Sequence, residues 1–283
     1  MESNKALHIK IIFYIINIIK SIKSIKCFKC IQFMQIKTAK IFALAMHKGG
    51  VGKTSSTVNI GAALAKMGKR VLLVDLDPQA NLSECVGMSG AVPTISDGLL
   101  YGTVKPVNAG IIDLIPSSLI LAGTEVSLLN QTAREQILKE ILDTQRELYD
   151  YILIDCPPSL GLLTVNALTA ADQVLIPLQA EYLAVKGLNS LIDIIDMIKK
   201  KLNKNLKIGG VLITMYDNRK VLNRNTGDSI SKLFKTEVFK TKIRENVSLA
   251  EAPTAGQHIF DYAPNSNGAK DYMELTKEIL KLK

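Results

Sequence analysis

The sequence predicts an α/β fold, with a doubly wound, mostly parallel sheet flanked by helices on both faces. Short apolar runs at residues 71–74 and 151–154 are typical of parallel strands that are buried on both faces. Segments with helical periodicity alternate with such runs to the end of the chain. The 283 residues are 47% hydrophobic and only 5% aromatic, which suits one large domain around a sheet rich in Val, Ile and Leu.

The predicted elements follow one another in the order that this fold requires. Apolar runs predict strands at residues 41–46, 71–74, 151–154, 172–178 and 208–215. Helical periodicity predicts helices at residues 55–67, 183–202 and 266–283. This alternation of strand and helix is the pattern of parallel strands joined by crossover helices.

The most specific motif lies between the first predicted strand and the first predicted helix. It consists of Lys48, Gly49, Gly50, Val51, Gly52, Lys53, Thr54 and Ser55, and we predict that these residues bind a nucleotide. Glycines allow successive N–H groups to turn toward a phosphate, and the helix start adds further donors and a partial positive charge. The run departs from the usual G-x-x-x-x-G-K-[ST] pattern, since His47 replaces the first glycine and Lys48 follows it.

Carboxylates follow two of the apolar strands. Asp75 and Asp77 come directly after the run at 71–74, and Asp155 follows the run at 151–154. The carboxyl ends of parallel strands meet at one edge of a sheet, where ligands bind. Each aspartate alone is equally well explained as a turn or cap residue. Three of them beside a glycine loop favour a Mg²⁺–nucleotide site.

These segments resemble the ParA/MinD family of deviant P-loop ATPases, and within it the small partition ATPases called ParA or Soj. The carrying segments are residues 48–54, 70–81, 151–166, 209–217 and 246–253. The resemblance covers about residues 36–283. It implies a P-loop fold, ATP and Mg²⁺ as cofactors, and slow ATP hydrolysis that a partner protein stimulates.

The resemblance also implies roles for single residues. Lys48 resembles the signature lysine that crosses a dimer interface to the partner's nucleotide, and Asp77 the switch carboxylate that positions the attacking water. The implied catalytic residues are Lys48, Lys53 and Asp77. The implied Mg²⁺ ligands or partners are Thr54, Asp75 and Asp155. Residues 155–161 resemble the second switch, and the positions of the family's adenine pocket are Met215, Asn246 and Val247.

The charge map adds a candidate nucleic-acid surface. Residues 199–244 carry thirteen Lys or Arg and three Asp or Glu, a net charge of +10 in a chain whose total is +9. Such a block is typical of a surface that binds a polyanion, although the lysines at 199–201 alone equally fit a solvated helix end. Arg219 aligns with an arginine that Soj-like members use for DNA. The candidate DNA-binding residues are Arg219, Lys220, Arg224, Lys232, Lys235, Lys240 and Lys242.

One segment departs from the family pattern. Relatives resemble I-P-R-N-V-R where this chain has residues 243–248, so that a proline is replaced by Arg244 and two arginines by Glu245 and Ser248. We expect the adenine pocket to lose a rigid residue and the DNA-binding surface to lose charge. Nonspecific DNA binding is therefore expected either to be weaker than in relatives or to rest on Lys232, Lys235, Lys240 and Lys242.

Residues 1–33 do not share the α/β pattern of residues 34–283. They carry six lysines and one glutamate, and their apolar run at 11–19 is too short to span a membrane. We predict an N-terminal extension, non-native or disordered, because Met34 begins a stretch that resembles the family's usual start. A basic helix that binds a membrane or a partner is the alternative. Cys27 and Cys30 have no second pair to complete a zinc site.

The function predicted from the sequence is an ATP-dependent dimerisation switch that acts in chromosome or plasmid partition. The expected partners are a second copy with ATP, nonspecific DNA of the nucleoid and a ParB-like protein. The expected location is the cytoplasm, at the nucleoid, without stable membrane insertion.

The main alternative is a MinD-like ATPase that cycles on membranes, which needs an amphipathic C-terminal membrane helix. Residues 270–283 resemble the closing helix of partition ATPases instead. A reductase similar to the nitrogenase iron protein needs cluster cysteines whose spacing Cys85 and Cys156 lack. A large ParA with its own helix-turn-helix needs more than 33 additional residues.

Overall fold

The computed structural model describes residues 38–180, 184–220 and 238–282, and for residues 184–186 it describes the helix but not the side chains. The extension predicted at residues 1–33, and its boundary with the ATPase domain at residue 34, lie outside this range. All statements below concern the described residues.

Seven strands of the described chain form one sheet in the order β3-β4-β2-β5-β1-β6-β7. The strands are β1 (Lys40–Leu44), β2 (Val71–Asp75), β3 (Val107–Ala109), β4 (Ile112–Ile115), β5 (Tyr151–Asp155), β6 (Gln173–Gln179) and β7 (Lys207–Thr214). All neighbouring strands pair in parallel except β3 and β4, which form an antiparallel hairpin at one edge. The predicted α/β fold with a mostly parallel sheet is therefore confirmed.

Helices cover both faces of this sheet. In chain order they are α1 (Lys53–Lys66), α2 (Asn81–Cys85), α3 (Ile95–Tyr101), α4 (Ile120–Leu128), α5 (Ile137–Asp143), α6 (Leu162–Ala170), α7 (Ala184–Lys201), α8 (Val247–Glu251), α9 (Ile259–Tyr262) and α10 (Asn267–Ile279). A 3₁₀ turn (Ala252–Ala255) joins α8 to the chain that leads into α9. None of the helices in the described ranges is long and apolar enough to cross a membrane.

Side chains of the central strands are buried on both faces of the sheet. In β1, Ile41 and Ala43 pack into one apolar cluster, whereas Phe42 and Leu44 pack into the other. Each fully buried Leu or Ile side chain stabilises the fold by about 1.5–3 kcal/mol relative to exposure. Burial on both faces explains why these strands are continuous apolar runs rather than alternating ones.

The sequence does not predict the hairpin β3–β4, nor the short helices α2 to α6, α8 and α9. The strands of the hairpin are three and four residues long, and Asn108 and Asp113 interrupt the apolar pattern. The predicted strands and helices otherwise agree with the observed ones to within a few residues at most ends, as for the closing helix, predicted at 266–283 and observed as α10. The strands β1, β2, β5 and β7 end at the same edge of the sheet, and the candidate site lies there.

Candidate nucleotide site

The glycine loop connects β1 to α1, and two of its residues need a left-handed backbone. Gly50 has a φ of 74° and Gly52 a φ of 84°, a region that residues with a side chain rarely occupy. Gly52 is also the N-cap of α1, and its carbonyl accepts the Ser56 N–H at 3.0 Å. The Thr214 hydroxyl donates to the Val51 carbonyl at 2.8 Å and so ties the loop to the end of β7. The loop is held as a turn that opens at the start of a helix.

Lys53 lies inside this turn and is only 7% exposed. Its Nζ donates to the carbonyl of Lys48 at 3.4 Å, near the limit for a hydrogen bond. Burial lowers the pKa of Lys53, and the neighbouring Asp155 carboxylate opposes that shift. A buried cation held by one long contact exchanges that contact readily for a phosphate oxygen. Lys48 itself is partly exposed at the start of the loop.

Asp155 is a buried carboxyl group at the end of β5. Its Oδ2 accepts the Thr54 hydroxyl at 2.6 Å, and its Oδ1 accepts the Thr57 hydroxyl at 3.3 Å. Burial, and then the charge of Asp75, raise the pKa of Asp155 to about 8. A buried acid beside a hydroxyl offers the hard oxygen donors that Mg²⁺ prefers, and a bound cation would restore the ionised form. The pair formed by Thr54 and Asp155 therefore fits a magnesium site.

Asp75 is held by the segment that follows it, not by the glycine loop. Its Oδ1 accepts the Asp77 N–H at 3.2 Å, and its Oδ2 accepts both the N–H and the hydroxyl of Ser83, at 2.8 Å and 2.7 Å. Burial raises the pKa of Asp75 to about 6 against these hydrogen bonds. These contacts tie Asp75 to the turn at residues 76–83, whereas Asp155 contacts the hydroxyl of Thr54, the other predicted Mg²⁺ ligand, so Asp155 is better placed for direct contact with a cation.

Asp77, the predicted water-positioning residue, is only 8% exposed. Its Oδ1 accepts the Gln79 N–H at 3.0 Å, which closes a turn after β2. The structure thus brings Asp75, Asp77 and Asp155 to one edge of the sheet beside the loop, as the sequence predicts. Ser83, which holds Asp75, has no motif of its own in the sequence.

A cavity of ≈ 420 Å³ opens beside the loop, with Gly52 and Ser55 in its lining. The three residues predicted for the adenine pocket, Met215, Asn246 and Val247, line it as well. Asn246 caps α8 by accepting the Ser248 N–H at 2.9 Å, so its side chain fixes that wall. A largely apolar cavity next to a phosphate loop has the size and surface that a purine base requires.

Tyr272 and Arg244 are among the lining residues of this cavity that the sequence does not predict as site residues. Tyr272, from α10, is fully buried, and its hydroxyl lies 3.1 Å from the hydroxyl of Ser56 in α1. Arg244 forms a forked ion pair with Asp271, with Nη2–Oδ1 at 2.6 Å and Nε–Oδ2 at 2.9 Å. The Arg244 N–H, which a proline lacks, donates to the same carboxylate at 3.0 Å. The expected loss of rigidity at this position is therefore offset by α10.

The substitution Arg244→Ala is expected to lower the free energy of unfolding by about 1 kcal/mol, since the pair is partly exposed and the backbone contact to Asp271 remains. We also expect a several-fold weaker affinity for ATP, because one wall of the cavity loses its anchor. Urea unfolding and titration with a fluorescent ATP analogue measure the two effects. Arg219→Ala, which removes the ion pair of an exposed arginine, is the control and should change neither. Unchanged stability and affinity in Arg244→Ala would contradict the anchoring role.

The basic block does not form one surface among the described residues. Lys199, Lys200, Lys201, Lys204 and Lys207 lie at the end of α7 and the start of β7. Arg219 and Lys220 follow the other end of that strand. Because β7 has eight residues, its two ends are about 23 Å apart. A block that is continuous in sequence is thus divided between opposite edges of the sheet.

Most of the described basic candidates near the nucleotide cavity have an acidic or aromatic partner. Arg219 pairs with Asp217 at 2.9 Å, and Lys220 with Glu245 at 2.8 Å. The ammonium of Lys242 lies 4.2 Å from the ring centre of Tyr216. The Lys240 N–H donates to Glu278. The remaining candidates, Arg224, Lys232 and Lys235, lie outside the described residues.

The glycine loop lies between a strand and a helix, at the edge of the sheet where the neighbouring strands end in aspartates. This arrangement defines the class of a P-loop nucleotide-binding protein. Residues 39–208 match the AAA domain family AAA_31. The chain is 45% identical over 247 residues to the sporulation initiation inhibitor protein Soj of Bacillus subtilis, a match that covers 85% of this chain and 98% of that protein. It is 41% identical over 249 residues to the chromosome partitioning protein ParA of Myxococcus xanthus, covering 86% and 88% of the two chains. The chain belongs to the ParA/MinD family of P-loop ATPases.

Solved structures agree with this assignment. The crystal structure of cobyrinic acid a,c-diamide synthase from Mycobacterium smegmatis with bound ADP and magnesium superposes with a TM-score of 0.75 at 34% identity, covering 86% of this chain and 94% of that one. A putative plasmid partition protein from Borrelia burgdorferi bound to AMPPNP has a TM-score of 0.71 at 29% identity, covering 86% and 99%.

Proposed function

We propose that this protein is a Mg²⁺- and ATP-dependent dimerisation switch that hydrolyses ATP slowly and acts in chromosome or plasmid partition. The observation that carries the proposal is the placement of a phosphate loop with a second lysine, Lys48, directly beside a base-sized cavity. The similarity to Soj and ParA proteins, and to solved structures with ADP or AMPPNP, supports the same conclusion.

The geometry suggests how the chain would hold ATP. The cavity lined by Met215 and Tyr272 takes the base, and the loop amides from Gly49 to Thr54 take the phosphates with Lys53. Thr54 and Asp155 would hold Mg²⁺, which neutralises phosphate charge in this class of reaction. The carboxylate of Asp77 would orient the attacking water.

Lys48 gives the proposed switch its dependence on a second copy. The loop already has one lysine, Lys53, which is buried within its own turn. A partly exposed Lys48 on the same loop is placed to reach out toward a facing molecule. A lysine that reaches a partner's nucleotide would supply the transition-state charge that other P-loop enzymes take from an arginine finger. A ParB-like partner is then expected to stimulate hydrolysis and release.

The dimer is proposed to bind DNA through backbone phosphates, without sequence preference. Among the described residues, the division of the basic block leaves few cations near the nucleotide edge of each subunit, and two of them, Arg219 and Lys220, pair with carboxylates. Two subunits on one duplex double the contacts, so binding should require ATP. The same pairing predicts a shallow dependence of DNA affinity on salt.

Arg219→Ala is expected to weaken binding to all DNA sequences about equally, and to lower the slope of log K against log salt by ~1 for each phosphate that the variant no longer binds. Asp217→Asn should act in the opposite direction, because it removes the carboxylate that pairs with Arg219. Lys204→Ala removes the same charge from the opposite edge of the sheet and is the matched control. A salt titration of ATP-dependent DNA binding measures all three. Equal effects of Arg219→Ala and Lys204→Ala would mean that only net charge matters.

A pelleting experiment tests the function as a whole. The protein is sedimented with DNA or with anionic vesicles, each with ATP, ADP and no nucleotide. We expect ATP-dependent sedimentation with DNA and none with vesicles. Sedimentation with vesicles but not with DNA at low salt would replace the partition proposal by the MinD-like alternative.

The reductase alternative finds no support in the cysteines of the described chain. Cys85 and Cys156 are both buried, and burial raises the pKa of each thiol, that of Cys85 to about 12. A cluster shared across a dimer needs accessible thiolates.

A further inference from the structure

The turn that carries Asp77 contains a strained residue. Ala80 has a φ of 55° and a ψ of 27°, in the left-handed region that residues with a side chain rarely adopt. Its N–H donates to the Asp77 carbonyl at 2.9 Å, and its carbonyl accepts the Glu84 N–H at 3.0 Å. Ala80 therefore links the predicted water-positioning residue to the helix α2 that follows it.

Strain of this kind is concentrated at the nucleotide edge. The described residues include three non-glycine residues with a positive φ. Two of them belong to this edge, since Ala80 follows Asp77 and Met215 lines the base cavity. A left-handed alanine costs free energy and persists only where the surrounding contacts hold it in place. The contacts that hold Ala80 are therefore expected to matter for the site.

One carboxylate holds this turn from both ends. The Oδ1 of Asp75 accepts the Asp77 N–H at 3.2 Å, and its Oδ2 accepts the N–H and the hydroxyl of Ser83 at 2.8 Å and 2.7 Å. Ala80 lies between these two anchor points. Ser83 is itself fixed from the end of β4, because its hydroxyl oxygen accepts the Ser117 N–H at 3.0 Å. Asp75 and Ser83 are buried, so water does not readily replace these hydrogen bonds.

We propose that Ser83 is a positioning residue for ATP hydrolysis, because it holds Ala80 in its strained conformation and thereby fixes the carboxylate of Asp77. This inference rests on the proposed role of Asp77 and adds the group that keeps Asp77 in place. Ser83 lies outside the glycine loop and outside the lining of the base cavity. It therefore affects the hydrolytic step without taking part in nucleotide binding.

Loss of the Ser83 hydroxyl has two consequences for this turn. Asp75 loses one of its two hydrogen bonds from Ser83, and the Ser117 N–H loses its acceptor. The strained conformation of Ala80 is then less well held, and the turn relaxes toward an unstrained φ. Asp77 moves with the turn, because its carbonyl and its N–H are both bonded within it.

The first test measures kcat, KM and thermal unfolding for Ser83→Ala. We expect kcat for ATP to fall about tenfold, the loss typical of one hydrogen bond to a carboxylate. KM and the affinity for a fluorescent ATP analogue should stay unchanged. Ser117→Ala is the matched control, since among the described residues its buried hydroxyl has no hydrogen-bond partner, and the variant keeps the N–H that Ser83 accepts. This control should keep the parent kcat.

The second test asks whether Ser83 acts through the strain at Ala80. Glycine adopts a positive φ without penalty, so Ala80→Gly removes the strain. The double variant Ser83→Ala with Ala80→Gly is expected to recover most of the lost kcat. Gln79→Gly in the same background is the control, because Gln79 has no positive φ and its replacement relieves no strain. It should recover nothing, and neither glycine would rescue a serine that only stabilises the fold.

The outcomes separate this inference from the proposed function. If Asp77→Ala hydrolyses ATP at the parent rate, the proposed role of Asp77 fails, and this inference fails with it. If Asp77→Ala is inactive while Ser83→Ala keeps the parent kcat, only the role of Ser83 is overturned. A higher KM in place of a lower kcat, or no rescue by Ala80→Gly, also overturns it.

A further variant decides the question if Ser83→Ala does not fold, as judged by thermal unfolding. Ala80→Val raises the strain directly, because a β-branched residue tolerates a positive φ less well than alanine does. Ala80 is partly exposed, so the larger side chain does not have to enter the core. We expect a lower kcat with an unchanged KM, and the parent kcat in this variant would overturn the proposal.

Discussion

Lys48→Ala is expected to bind ATP but to form no ATP-dependent dimer. ATP binding should persist because Lys53 and the loop amides remain in place. The dimer should be lost because two facing triphosphates would repel each other without the cation from the other subunit. Analytical ultracentrifugation with ATP measures the assembly, and a fluorescent ATP analogue measures binding. We expect the dimer dissociation constant to rise by about a hundredfold or more.

A control with the same change in charge makes this result specific. Lys66→Ala removes a partly exposed lysine from the last turn of α1, where its ammonium pairs with Asp261 at 3.3 Å, far from the loop. This variant should dimerise like the parent. A normal dimer from Lys48→Ala would show that Lys48 does not cross the interface.

Asp77→Ala is expected to reduce ATP hydrolysis by ~10²-fold or more, in line with the loss of a general-base-type group. The dimer should accumulate with ATP bound, because Lys48, Lys53 and Thr54 are unchanged. Turnover is measured by phosphate release, and the nucleotide retained in the dimer by chromatography. Hydrolysis at the parent rate would make Asp77 a purely structural residue.

The variant Asp77→Asn distinguishes the chemical role from the structural one. Asp77 also accepts the Gln79 N–H at 3.0 Å, and an asparagine keeps that acceptor while it removes the charge. If the carboxylate positions water, Asn and Ala should lose similar amounts of activity. If the turn is what matters, Asn should retain most of the parent activity.

The sequence predicts much of the fold because the central strands are buried on both faces. Continuous apolar runs such as β2, followed by aspartates, indicate both a parallel strand and the edge where its ligands bind. The hairpin β3–β4 lacks this signal, since its strands are short and each is interrupted by a polar residue. The helices α2 to α5, which lie between β2 and β5 in the chain, are likewise too short for a clear period.

The candidate site is predictable only where local chemistry marks it. The glycine loop and the three aspartates occur in fixed positions relative to strands, and the structure brings them together. Ser83 and Asp271 act on the site only through their hydrogen bonds to Asp75 and Arg244. No spacing in the sequence predicts such partners. The sequence also predicts one basic surface where the described residues form two groups. Charged residues that are close in sequence can be separated in space by the length of one strand.

The contact between Ser56 and Tyr272 joins residues 216 positions apart, and both belong to helices that border the base cavity. Closing so long a loop costs conformational entropy before the contact returns any stability, so contacts of this kind form late in folding. The phosphate loop is a local structure that can form early, whereas the base cavity is complete only after α10 docks on α1. Tight nucleotide binding is therefore a property of the finished fold, and fragments that lack α10 should retain at most weak affinity for phosphate.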